Sequence, residues 1–197
     1  MRLLGVYDYT VILTYLSLFS AVFGMIQATK GYFTLAVICL FLSGFCDAFD
    51  GMVARTKKDR TDDEKAFGIQ LDSLCDVIAF GVFPAFLCYH MGVDGAFGIL
   101  TAFLFCLCAV IRLAFFNVLE GNRQRTEGGC NKTYRGLPVT SISIILPVVY
   151  VLKFFLPGEV FVGLLHVMLL AVAFLFILDF SVKKPDWKKI LTGKSSF

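Results

Sequence analysis

The chain has 197 residues, of which 58% are hydrophobic, 15% aromatic and only 17% charged, with a mean hydropathy of +0.79 and a formal net charge of +3. Soluble domains carry about 25% charged and 45–50% apolar residues, so the composition excludes a secreted mini-protein, a disordered chain and an ordinary cytosolic enzyme. What remains is an all-α polytopic membrane bundle with room for about six transmembrane helices of roughly 20 residues.

In chain order, the apolar stretches fall at 9–26, 32–49, 71–89, 95–119, 137–156 and 160–182. Each is long enough to cross the hydrocarbon layer as a helix, which satisfies its own backbone in lipid. The first is too long for the apolar part of a signal peptide and ends in no cleavage site, so it is read as retained. Fifteen of the eighteen Lys and Arg residues lie at the N-terminus, in the second and fourth connections and in the tail. The opposite side has only Lys30 and Lys153, and Arg112 lies within a span. The positive-inside rule then places both termini, and the connection at 50–71, in the cytoplasm. The whole chain, 1–197, reads as one integral membrane domain with a basic tail at 183–197. In that tail, residues 183–189 are either an anchor on anionic lipid or a plain topology signal. The basic residues form no interleaved patch, so no nucleic-acid partner is expected. The seven cysteines form no C-x-x-C pair and no cluster with His, which argues against a disulfide framework or a zinc site.

Four aspartates stand where a membrane chain should avoid them. Asp47 and Asp50 close the second span; Asp72 and Asp76 open the third. A carboxylate there is costly unless it is paired, metal-bound or facing water. Asp47, Asp50 and Ala54 share one helical face, and Gly68, Asp72 and Asp76 share another. If the two helices pack side by side, the four carboxyl groups point into one gap, with Gly51, Ala54 and Gly68 removing bulk around it. Divalent cations would relieve the repulsion, and oxygen-only ligands favour Mg²⁺ or Mn²⁺ over zinc. Arg55 follows directly, and its planar fork suits phosphate oxygens. A cation transporter would use the same aspartates but would leave Gly51, Ala54 and Arg55 unexplained. The other acids of the connection, Asp59, Asp62, Asp63 and Glu64, are read as surface charges paired with Lys57, Lys58 and Arg60.

The assembled pattern is Asp47-x-x-Asp50-Gly51-x-x-Ala54-Arg55, then Gly68-x-x-x-Asp72-x-x-x-Asp76. It closely resembles the signature of the CDP-alcohol phosphatidyltransferases, with all eight signature residues present. The family usually has eight residues between the Arg and the second Gly; here residues 56–67 supply twelve. The charged surplus at 59–64 is read as a surface insertion in the cytoplasmic loop. The resemblance implies transfer of a phosphatidyl group from a CDP-linked lipid to an alcohol, with CMP released, by a homodimer using two divalent ions. It further implies Asp47, Asp50, Asp72 and Asp76 as metal-site residues, and Asp76 also as general base, one turn deeper in the membrane than Asp72. A CDP pocket would be formed by Asp47, Gly51, Ala54, Arg55, Gly68 and Asp72. Thr10 and Thr14 of the first span could approach the cytidine, but are read as packing residues.

Two further segments bear on the acceptor. Arg112-Leu113-Ala114-Phe115-Phe116-Asn117 and Tyr134-Arg135-Gly136-Leu137-Pro138 resemble the R-L-A-R-F-N and F-x-G-L-P segments of the phosphatidylserine synthase branch, with Phe115 in place of the second Arg. The expected substrates are therefore CDP-diacylglycerol, held with its tails in membrane lipid, and L-serine. Arg112 is placed at the serine carboxylate, and Asn117 and Arg135 near the acceptor. Asn117 could instead cap its helix, and Arg135 could be a topology charge. Glycerol phosphate and inositol phosphate are the alternative acceptors. His166 is read as a buried structural residue, and Asp179 as a partner of Lys183.

Overall fold

The computed structural model describes residues 5, 7, 9–54, 56, 57, 59, 61–125 and 133–183, with backbone only for Ala54 and residues 122–125, 133–135 and 181–183. Arg2, Arg55, Lys58, Arg60, Lys132 and the tail from Lys184 lie outside the described residues. So do the side chains of Ala54, Arg123, Arg125, Arg135 and Lys183.

Helix α1, Ile12–Thr29, buries Thr14, Ser17, Ala21, Gly24 and Ala28. These residues are three and four apart and all small, so they form one narrow stripe along the rod. Against it lies α2, Phe33–Ala54. In lipid no hydrophobic force drives two apolar rods together; close backbone approach and interhelical hydrogen bonds must do so. The Ser17 and Ser43 hydroxyls are 2.8 Å apart, and Ser20 Oγ donates to the Cys39 carbonyl at 2.8 Å. A Cβ added at Gly24 would collide with the Phe83 ring and with Cys39 Cβ.

Helix α3, Asp62–Asp76, corrects the sequence reading of the third span, which placed its start at Leu71. Thr61 Oγ1 accepts from the Glu64 N–H at 3.2 Å, and Glu64 Oε2 accepts from the Thr61 N–H at 3.0 Å. This capping box, with three acids on the positive end of the helix, starts the helix before hydropathy would. Asp62, Asp63 and Glu64 are thus a first helical turn and not loop insertion. Lys65 pairs with Asp62 at 3.0 Å and Lys57 with Glu64 at 3.5 Å. Directly after Asp76 the helix widens into a π-helical stretch, Val77–Val82, before α4, Phe83–His90. Pro84 has no N–H to offer the carbonyl four residues back, and its ring would crowd that carbonyl; a widened turn accommodates both.

Helices α5, Gly95–Arg125, α6, Ile142–Val151, and α7, Gly158–Ile177, complete the bundle. Packing pairs α1 with α2 and α4, α2 with α6, and α5 with α7. Phe80, Phe83, Phe105, Phe176, Leu40 and Leu165 are fully buried, while Phe19, Phe103, Val148 and Val167 point outward. An apolar exterior over a packed core is what a lipid solvent demands. Among the described residues, five helical runs are long and apolar enough to cross a membrane: Tyr9–Thr29, Phe33–Val53, Asp62–His90, Gly95–Gly121 and Gly158–Ile177. The expected fifth span is a shorter apolar helical run, Val139–Phe154, entered through Pro138 in extended conformation. The last span also ends early. Leu178 is extended, and the chain forms β2, Ser181–Lys183, antiparallel to β1, Thr133–Arg135. Gly136 sits at φ +69°, a left-handed turn that glycine adopts without cost, and its N–H donates to the Phe180 carbonyl at 2.7 Å.

Gly24→Ala is expected to destabilise the α1–α2–α4 contact by about 1–3 kcal/mol, the usual cost of overpacking. Thermal unfolding in detergent reads this as a lowered midpoint; an unchanged midpoint would show that the contact yields freely.

Candidate metal and substrate site

The two helices bearing the signature bring their carboxyl groups together. Asp47, Asp50 and Asp72 each offer an oxygen, and these oxygens lie within 4.8 Å of one another. The cluster crosses the helix interface: Asp47 and Asp50 come from α2 and Asp72 from α3. Asp76, one turn further along α3, stands outside the compact trio and is 8% exposed. Carboxyl groups this close must share protons or cations, and among the described residues no Lys or Arg pairs with them. Asp72 Oδ1 is buried without a hydrogen-bond partner. An orphaned carboxylate oxygen, in a set of oxygen donors with no His or Cys among them, fits a hard divalent cation.

Gly51 lies within the last turn of α2, where an added Cβ would meet nothing within 4 Å. Gly68 lies one turn before Asp72 on α3, half-buried. Ala54 ends α2.

Thr14, read from the sequence as a packing residue, is placed in this site: its Oγ1 donates to Asp50 Oδ2 at 3.0 Å. The four-residue spacing of Thr10 and Thr14, which puts both on one face of the first span, was the available signal. Ser73, beside Asp72, donates to Asn117 Oδ1 at 2.6 Å. That bond ties α3 to α5. It also corrects the capping alternative for Asn117, because α5 runs on to Arg125.

Arg112 belongs to α5 and Arg135 to β1. Arg112 is 9% exposed, and its Nε donates to the Leu137 carbonyl at 3.3 Å. It lines a pocket of about 280 Å³ with Gly136 and Asp179, to which none of the four aspartates contributes. Asp179 therefore stands beside Arg112, while the side chain of its expected partner Lys183 is outside the described residues. Arg135 contributes backbone to β1, paired with Ser181. His166 stacks on Phe97 at 5.1 Å, its Nδ1 3.0 Å from the Val162 carbonyl.

Removing the Thr14 hydroxyl should loosen the cation site. Outer partners of metal ligands are worth about 10–100-fold in metal affinity. Thr14→Val is expected to weaken Mn²⁺ binding, followed by electron paramagnetic resonance, by about tenfold, with Thr14→Ser near wild type. Equal affinity in all three proteins would reduce Thr14 to packing.

Comparison with known proteins agrees with this geometry. The CDP-alcohol phosphatidyltransferase family model matches residues 9–180. The archaetidylserine synthase of Methanothermobacter thermautotrophicus is 39% identical over 131 residues, 61% of this chain and 53% of that protein. The CDP-diacylglycerol–serine O-phosphatidyltransferase of Saccharomyces cerevisiae is 31% identical over 78% of this chain and 56% of its own length. The enzyme of the same name from Helicobacter pylori is 29% identical over 88% of this chain and 70% of its own length. The chain thus spans little more than half the length of the first two. A match running from the start of the first helical run to the turn beyond α7, with the acidic cluster inside it, places this chain in the CDP-alcohol phosphatidyltransferase family.

Proposed function

We propose that the chain transfers the phosphatidyl group of CDP-diacylglycerol to the hydroxyl of L-serine, forming phosphatidylserine and CMP. The observation that carries the reading is the cross-helix carboxylate cluster, in a chain whose relatives bear serine-transferase names. The family resemblance extends it to a homodimeric multi-pass protein, with 1–197 as one catalytic domain. The distribution of basic residues supports a cytoplasmic site with both termini on that side.

Asp47, Asp50 and Asp72, with Asp76 alongside, would hold two ions of Mg²⁺ or Mn²⁺. Bound there, such ions would neutralise the diphosphate and polarise the phosphoryl group being transferred. The chain's own groups do the rest. By the family resemblance, Gly51, Ala54 and Gly68 would leave room for the nucleotide and Arg55 would meet the diphosphate. Asp76 takes the serine hydroxyl proton as that oxygen attacks phosphorus; the bond from phosphorus to the CMP oxygen breaks, and CMP leaves with its electron pair. A serine hydroxyl ionises far above neutral pH, so a base within about 3 Å is required. Arg112, with Asn117 and Arg135, orients the acceptor.

Purified protein given CDP-diacylglycerol, Mn²⁺ and one acceptor at a time should release CMP with serine and not with glycerol phosphate or inositol phosphate. Turnover only with a phosphorylated acceptor would overturn the serine reading. EDTA should abolish release, and added Mg²⁺ or Mn²⁺ should restore it. Asp76→Asn should abolish turnover while CDP-diacylglycerol binding survives; near-normal turnover would remove Asp76 as base. Arg112→Ala should raise the serine KM at least tenfold with little change in the lipid KM. If Arg112→Ala leaves the serine KM unmoved, the residue is only a clamp on Leu137.

A further inference from the structure

The end of the bundle remote from the aspartates carries a second pocket, of about 600 Å³, between the start of α2 and the end of α6. Fourteen residues of helix separate Phe33, on its wall, from Asp47, an axial rise of about 21 Å. It therefore belongs to no part of the carboxylate site.

Its polar end is cationic. Lys153 Nζ lies 5.0 Å from the Phe33 ring centroid and 5.4 Å from that of Tyr150. Those rings fix the ammonium without neutralising it, and among the described residues no carboxylate pairs with Lys153. Thr34 Oγ1 and the Tyr150 hydroxyl, 3.1 Å apart, stand on the same wall. The first turn of α2 lines the pocket too and adds the positive end of a 22-residue helix. Lys30, the other lysine that the topology assigns to this end, precedes Gly31, which is a lining residue. No lining residue is acidic. Away from this end the walls are apolar: Ile38 is 49% and Phe154 70% exposed.

A fixed cation with hydroxyls at the interface, continuing into an apolar groove along the membrane, has the chemistry of a phospholipid site. We propose that this pocket binds an anionic phospholipid of the leaflet opposite the active site, its phosphate at Lys153 and an acyl chain along Ile38. A free phosphate would find half of the walls hostile, which favours the lipid over the soluble anion.

The inference is independent of the acceptor assignment and is tested without turnover. Protein released from nanodiscs holding equal amounts of phosphatidylglycerol and phosphatidylcholine would be analysed by native mass spectrometry. Wild type is expected to retain one phosphatidylglycerol per chain, at least fivefold over phosphatidylcholine. Lys153→Gln should lose that preference and Lys153→Arg should keep it. Millimolar inorganic phosphate should not displace the lipid. Equal retention of the two lipids by wild type overturns the proposal whether or not any variant folds. So does an undiminished preference in Lys153→Gln, and displacement by phosphate would show a soluble-anion site instead.

Discussion

The structure turns on like charges held together. Three carboxylate oxygens within 4.8 Å of one another repel by about 3–4 kcal/mol per ionised pair at an effective dielectric of about 20. The interhelical hydrogen bonds that draw α1 to α2 are each worth only about 0.6 kcal/mol in a membrane. Packing of that kind cannot hold an ionised cluster closed. The site must carry protons or cations, and its orphaned Asp72 oxygen is disposed toward the latter. The amino-terminal half of the chain makes sense as a frame around this constraint. Small residues let α1 approach until Thr14 reaches Asp50. The capping box starts α3 early enough that Asp72 and Asp76 stand well inside a formed helix. The π-helical stretch resets the helix immediately beyond Asp76.

The carboxyl-terminal half is organised around a different charge. Arg112 reaches from α5 to the Leu137 carbonyl, beside Gly136 in its left-handed turn and near Asp179 at the exit of α7. The short β1–β2 ladder closes the same region from outside. The bond from Ser73 to Asn117 joins the two halves, linking the residue beside Asp72 to the helix that carries Arg112. An acceptor held on the α5 side would thus be referenced mechanically to the carboxylates of α3. The proposed chemistry needs a lipid substrate from the bilayer and a polar one from water. A carboxylate cluster at one end of an apolar bundle meets both requirements.

Much of the site was legible in the residues. Aspartates at i and i+3 on one rod and i and i+4 on the next share faces whatever the fold does, because the helix period sets their direction. At Gly51 an added Cβ would meet nothing within 4 Å. The charged run at 59–64 misled, because hydropathy weighs charge and is blind to capping. Thr61 and Glu64 form a helix start that a window average reads as loop. The ends of the last two spans were missed for a related reason. Pro138 and the extended Leu178 are local backbone choices inside stretches that remain apolar.

By itself the sequence determined the membrane class, the helical periodicity and which carboxylates would face a common gap, since these follow from composition and the geometry of a single helix. Only the tertiary structure decided that Thr14 enters that gap, that Asn117 answers Ser73, and that Arg112 lines a pocket with Gly136 and Asp179. Those pairings join residues 24 to 67 positions apart. No local rule fixes the rotation and depth at which one rod meets another; packing of the whole bundle does.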